Sequence, residues 1–237
     1  MTPTSYHPAC CSPLQDHWPL PFALPGVQLI STRFDPALLT AEDFARCGIP
    51  GVKGVSKRQA EFLAGRLCAR EALRRVTGEP CVPVVNEDRS PRWPAGVAGS
   101  ITHGAGWAAA AVARREQWRG IGLDVEKQIP PSRADRLVTE ILTPWELEGY
   151  SRLDEAQRAL LVTLTFSIKE SLFKALYPLV NQRFYFHEAE LIHHDSTGRA
   201  RLRLLNDLSD DWKAGAVLDG QFVQLEDHLL SLVSIAA

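Results

Sequence analysis

Phe166-Ser167-Ile168-Lys169-Glu170-Ser171-Leu172-Phe173-Lys174, read together with Ile121-Gly122-Leu123-Asp124-Val125-Glu126, sets the architecture of this chain. On a helix Glu170 and Lys174 stand four apart, so a carboxylate and an ammonium share one face. The apolar, β-branched run around Asp124 and Glu126 predicts a strand, which points both carboxylates to the same side. Two like charges set between buried neighbours repel and call for a cation. A divalent metal with a base beside it is the chemistry these segments suggest.

Each segment also has a plainer explanation. In the helix, Phe166, Leu172, Phe173, Leu176 and Tyr177 form an apolar arc, and Ser167, Glu170, Ser171 and Lys174 a polar one. An exposed face with an i,i+4 ion pair, worth about 0.5 kcal/mol, would give the same pattern. For the acids, the alternative is a strand running out into solvent. Gly122 speaks against it, because glycine inside a strand commonly marks close approach by a ligand or another segment. Mg2+ takes one or two carboxylates and fills its octahedron with water and phosphate oxygens. Glu146 opens a further predicted helix and is a third candidate ligand, although helix N-termini attract acids in any case.

Outward from these segments, strands and helices alternate. Residues 26–34 predict a strand and 36–44 a short helix. Ser56 is placed as the cap of a long helix to about Val76, ended by Gly78 and Pro80. A turn-rich loop, 86–94, leads into a strand at 97–103. The alanine-rich run 107–113 has a helix-forming composition but a position that suits a strand. The second half predicts a strand at 121–126, helices near 133–142, 144–150 and 156–179, and strands near 184–191, 200–205, 221–225 and 229–235. The class is α+β, in two similar lobes, 1–120 and 121–237, with a seam near Gln117 to Gly120.

The helix after Ser56 carries Lys57 and Arg58 in its first turn, then Arg66, Arg70 and Arg74 at intervals of four. Such a ladder of guanidinium groups suits bidentate capture of phosphate, and a solvated basic face is the default alternative. Arg89 and Arg92 add positive charge in the rigid loop before Pro94. In Gly99-Ser100-Ile101-Thr102-His103-Gly104, small residues let a ligand approach the backbone, and a hydroxyl and an imidazole can donate to phosphate.

A net charge of −2 argues against a nucleic-acid-binding protein, which carries a basic excess. The 5 cysteines are odd in number and without a C-x-x-C pair, which predicts reduced thiols in a cytoplasmic protein. Prolines at 3, 8, 13, 19, 21 and 25 keep residues 1–26 extended, with no signal-peptide pattern. No window approaches the roughly 18 apolar residues of a membrane span.

Taken in order, these segments resemble the 4'-phosphopantetheinyl transferases of the surfactin-synthetase-activating and enterobactin-synthase class. The signatures are matched by Gly99 to His103, Ile121 to Glu126 and Phe166 to Lys174; the enterobactin-type branch is matched also by Lys57 to Arg70 and Arg89 to Pro94. Thr102 stands where the commoner pattern has serine, and the hydroxyl is kept. The resemblance implies a monomer of two similar lobes related by a pseudo-two-fold, each a small sheet with a long helix, and coenzyme A in the cleft between them. It implies transfer of 4'-phosphopantetheine from coenzyme A to a serine of apo acyl or peptidyl carrier proteins, with release of 3',5'-ADP. Asp124, Glu126 and Glu146 would then hold Mg2+ or Mn2+. Glu170 would be the general base or a further metal ligand, and Lys174 would bind the pyrophosphate and steady Glu170. Lys57, Arg58, Arg66 and Arg70 would meet the 3'-phosphate, with Arg89, Thr102 and His103 completing the cradle. A coenzyme A-binding protein without transferase activity and a metal-dependent pyrophosphatase are the alternatives. The pairing of Glu170 with Lys174 is a feature that a mere binder would not need.

Overall fold

The computed structural model describes residues 6–237. The chain divides into two compact units: residues up to Trp18 with Gly26–Arg114, and Pro19–Pro25 with Arg115–Ala237. Residues 6–26 contain no helix, as the prolines require; residues 1–5 of that expected extended leader lie outside the described residues.

In the first unit, β1 (Gln15–Asp16), β2 (Gln28–Arg33), α1 (Asp43–Cys47), α2 (Ser56–Thr77), β3 (Val84–Val85), β4 (Pro91–Arg92), β5 (Val97–Gly104) and β6 (Trp107–Arg114) follow in order. The main sheet is antiparallel with order β1-β2-β6-β5, and β3 and β4 make a separate ribbon. The alanine-rich run is therefore the strand β6. Pairing with β2 on one side and β5 on the other overrides alanine's helix preference. α2 covers this sheet, burying Cys68, Ala69, Ala72 and Leu73 against Ile30, Val97, Ala110 and Val112. Gly65 lets it lie close, since a Cβ there would stand 2.8 Å from Ile101 Cγ2. Two details of the expectation change. Val55, not Ser56, is the N-cap, with no side-chain cap bond, and the segment near 36–44 is a 3₁₀ turn at Pro36–Leu38 that leads to α1.

In the second unit, β7 (Trp118–Lys127), α3 (Pro131–Ile141), α4 (Pro144–Tyr150), α5 (Glu155–Val180), β8 (Ala189–His194), β9 (Arg199–Leu204), β10 (Val217–Leu225) and β11 (His228–Ala236) follow. The sheet is antiparallel, in the order β7-β11-β10-β9-β8. α5 lies on it, burying Ile168, Leu172, Ala175 and Leu176 against Leu202, Leu229 and Val233. Its start is fixed by a capping box: Asp154 Oδ1 accepts from Gln157 N at 2.8 Å, and Gln157 Oε1 from Asp154 N at 3.1 Å. Strand structure does not begin at 184. Glu188 accepts from Tyr185 N at 2.7 Å and closes a 3₁₀ turn over Phe186–Glu188, so β8 opens only at Ala189. Residues 19–25 dock on this unit, where the Gln221 side chain bonds both the N–H and the C=O of Phe22 at 2.9 Å. Among the described residues no helix is long and apolar enough to cross a membrane.

Candidate active site

Gly120, Gly122, Asp124 and Glu126 alternate along β7 and so share one face. That face meets α5. A Cβ on Gly122 would lie 1.7 Å from the Ser171 carbonyl oxygen, and one on Gly120 2.4 Å from that of Ala175. Gly122 thus admits another segment of the chain, the helix backbone itself. The close approach sets α5 side chains onto Asp124, which is 4% exposed. Lys174 Nζ donates to Asp124 Oδ1 at 2.6 Å and to the Leu123 carbonyl at 3.1 Å, while Ser167 Oγ donates to Asp124 Oδ2 at 2.9 Å. Lys174 therefore bonds Asp124 rather than its helical neighbour Glu170.

The electrostatics follow from three carboxylates and one ammonium in a partly dry place. Burial, then the charges of Asp124 and Glu170, push the Glu126 carboxyl up to about 7, against the pull of Lys174 and Arg133. Burial also raises Glu170 above the ordinary carboxylate range, with Lys174 opposing the shift and Asp124 adding to it. Beside Glu170 an apolar cavity of about 170 Å³ is walled by Leu172, Phe173, Phe184, Tyr185 and Phe186, with Arg183 at its edge. Among the described residues no three metal-ligating side chains close into a full coordination set.

Glu146 is occupied elsewhere. Its Oε2 accepts from Lys169 Nζ at 2.7 Å and from Thr143 N at 2.6 Å, and its Oε1 from Leu191 N at 2.7 Å. It is the N3 acid of α4's capping box, the pattern that helix N-termini favour. Lys169 is 3% exposed, and burial lowers its pKa against the pull of Glu146 and Glu190. Glu190 in turn accepts from Thr143 Oγ1 at 3.0 Å and Arg203 at 2.7 Å. This buried network ties α4, α5, β8 and β9 together.

In the first unit, a cleft of about 700 Å³ gathers Arg58, Glu61, Phe62 and Arg66 from α2, Arg89 from the loop, and Ile101 and His103 from β5. Arg66 is the informative member. It is 6% exposed, its guanidinium lies 4.7 Å over the Phe62 ring, and among the described residues its Nε has no hydrogen-bond partner. Burial alone pulls its pKa down to about 10. A buried cation without a counter-ion is costly unless an anion joins it. Arg89 takes a positive φ of 72° in a turn closed by Asn86 N donating to the Ser90 carbonyl at 2.9 Å. His103 Nδ1 sits 3.7 Å from Glu61 Oε2.

The expected guanidinium ladder does not form. Arg70 donates to the Cys47 carbonyl at 2.6 Å, and Arg74 pairs with Glu71 at 2.7 Å. Lys57 is exposed and 4.0 Å from Glu61. Thr102 is buried and, by strand alternation, faces away from His103. Glu61, Phe62 and Ser231 carry parts of these sites that the sequence did not flag, and Ser167 was read only as part of a polar helix face. Glu61 and Phe62 stood inside a matched segment, whereas Ser231 has no local signal and is brought opposite Asp124 by strand register.

Residues 52–113 match the family model of the 4'-phosphopantetheinyl transferase N-terminal domain, and residues 120–233 that of the 4'-phosphopantetheinyl transferase superfamily. Enterobactin synthase component D of Escherichia coli K12 is 42% identical over 167 residues, covering 67% of this chain and 74% of that protein. The 4'-phosphopantetheinyl transferase Svp of Streptomyces mobaraensis is 40% identical over 156 residues, 65% of this chain and 62% of its own length. The 4'-phosphopantetheinyl transferase Npt of Nocardia iowensis is 37% identical over 149 residues, 62% of this chain and 65% of its own. The two matched segments include Arg58, Arg66, Arg89 and His103 of the first unit's cleft and the carboxylate cluster of the second unit.

Proposed function

This chain belongs to the 4'-phosphopantetheinyl transferase superfamily, and we propose that it performs the transfer of phosphopantetheine to carrier proteins with the carboxylate cluster of its second unit and the basic cleft of its first. The observation that carries the proposal is the convergence of Asp124, Glu126, Glu170 and Lys174 where α5 meets β7.

A carrier serine hydroxyl attacks the β-phosphorus of coenzyme A. The new bond joins serine Oγ to phosphorus, the bridging P–O bond breaks, and 3',5'-ADP leaves with the electron pair. Glu170 takes the serine proton. Its carboxyl, raised by burial, is more effective as a base near neutral pH than an ordinary carboxylate. Lys174 offers charge to the pyrophosphate while it holds Asp124. Burial and the neighbouring carboxylates make the charged form of Glu126 costly, a cost that a divalent cation would relieve, and Asp124 with Glu126 would hold it. Mg2+ bound there would supply charge neutralisation for the pyrophosphate. Glu146, expected as a third ligand, keeps both oxygens on Lys169 and main-chain donors, so the proposal does not use it.

The nucleotide end falls to the first unit. Arg58, Arg66, Arg89 and His103 share its cleft, and the counter-ion that Arg66 lacks would be a coenzyme A phosphate. Lys57, Arg70 and Thr102 take no part in lining it. Acyl and peptidyl carrier proteins are the proposed acceptors, with a monomer as the working form.

Incubation with coenzyme A, Mg2+ and an apo carrier protein tests the reaction. Intact mass should show the carrier gaining one phosphopantetheine; free phosphopantetheine beside an unchanged carrier would mean a hydrolase instead. For the cleft, a charge-assisted bond contributes about 1.5 to 3 kcal/mol, so Arg58→Ala should mainly raise the coenzyme A KM. An Arg58→Ala enzyme that still separates coenzyme A from 3'-dephospho-coenzyme A as sharply as the parent has no 3'-phosphate contact at that residue.

A further inference from the structure

Three fully buried serines stand behind Asp124. Ser167 and Ser171 lie one turn apart on α5, and Ser231 on β11 is directly opposite Asp124 in the β7–β11 register. Ser167 Oγ donates to Asp124 Oδ2 at 2.9 Å. A hydroxyl carries one proton, so in the 2.8 Å contact between Ser167 and Ser231 the donor is Ser231. With its own proton on Ser167, Ser231 Oγ is placed to accept from Ser171 at 2.8 Å, a donor that also reaches the Ser231 carbonyl at 3.0 Å. In that arrangement the hydroxyls run one way, from Ser171 to Ser231 to Ser167 to the carboxylate.

Two features mark this chain as more than core filling. A mid-helix serine commonly bonds the carbonyl one turn back, and Ser167 instead serves a carboxylate on another element. Hydrogen bonds in series also polarise one another, and this series ends on a charge-bearing acceptor. The terminal torsion of an aspartate is broad, so the plane of a carboxylate is set by its partners. Here Ser167 fixes one oxygen and Lys174 the other.

We propose that Ser171, Ser231 and Ser167 are positioning residues, a one-way hydroxyl relay that fixes the plane of the Asp124 carboxylate and so selects the lone pairs it offers to a divalent cation. This role rests on Asp124 being the cation ligand proposed above. Mn2+ binding to the full-length chain without coenzyme A, followed by electron paramagnetic resonance, tests it. Ser167→Ala is expected to weaken Mn2+ roughly tenfold, and Ser167→Thr, which keeps the hydroxyl, to restore much of that. Ser231→Ala is expected to weaken binding in the parent but to add little to Ser167→Ala, because its effect passes through Ser167. Parent-like affinity in Ser167→Ala beside a clear loss in Asp124→Ala overturns the relay and leaves the cation reading standing. Parent-like affinity in Asp124→Ala removes the cation reading itself. Additive losses at Ser167 and Ser231 overturn the one-way order. Should Ser167→Ala fail to fold, Ser231→Ala against Ser231→Thr is judged by the same affinity criterion.

Discussion

Gly122→Ala is expected to destabilise the second unit by roughly 4 kcal/mol or more, at the far end of what single substitutions do. The new Cβ would stand 1.7 Å from the Ser171 carbonyl oxygen and 2.7 Å from Ala175 N, which are backbone atoms and cannot swing aside. Gly122 has no positive φ, so what it supplies is space and not an unusual conformation. Relief requires α5 to rise off β7, and Ser167 and Lys174 would leave Asp124 with it. Loss of stability and loss of transfer should therefore appear together. Gly149→Ala is the control: it lies in α4 with nothing within 4 Å of its Cβ, and should gain about 0.5 to 1 kcal/mol. Denaturant unfolding of the three proteins measures both effects. A Gly122→Ala midpoint equal to the parent's would show that α5 does not rest on this glycine.

What could be read from the sequence follows the range of the interactions involved. The strand that carries Asp124 and the helix that carries Glu170 were legible because period-2 and period-3.6 patterns are local. The β6 alanines were ambiguous locally, and only their two partner strands decide the matter. The meaning of Gly122 was half legible: close approach was predicted, but its partner lies 49 positions away, at Ser171. The guanidinium ladder was a sound helical spacing. Local and tertiary acceptors, Glu71 and the Cys47 carbonyl, then took Arg74 and Arg70 and left the buried Arg66 Nε without one among the described residues. Glu146 shows the reverse. The general tendency of acids to cap helices, a local signal, describes its place at the start of α4.

Glu170→Gln should lower kcat by about 10² to 10⁴, the usual contribution of a positioned general base. The contrast with Asp124 carries the expectation. Asp124 is held on both oxygens by Lys174 and Ser167, whereas among the described residues no hydrogen bond or ion pair restrains the Glu170 carboxylate. It is thus free to accept a proton, and burial beside the aromatic cavity raises its pKa toward the working range. Glutamine keeps the shape but cannot take the proton. The cations of the first unit's cleft are untouched, so coenzyme A affinity measured by calorimetry should stay close to the parent's. Glu170 also shares the field of Asp124 and Glu126, and a ligand role predicts something different. If Glu170 coordinates the cation, Glu170→Gln weakens the cation and excess Mg2+ recovers full turnover, which would reject the base assignment. If it is the base, kcat stays depressed at saturating Mg2+, because no concentration of cation replaces the missing proton acceptor.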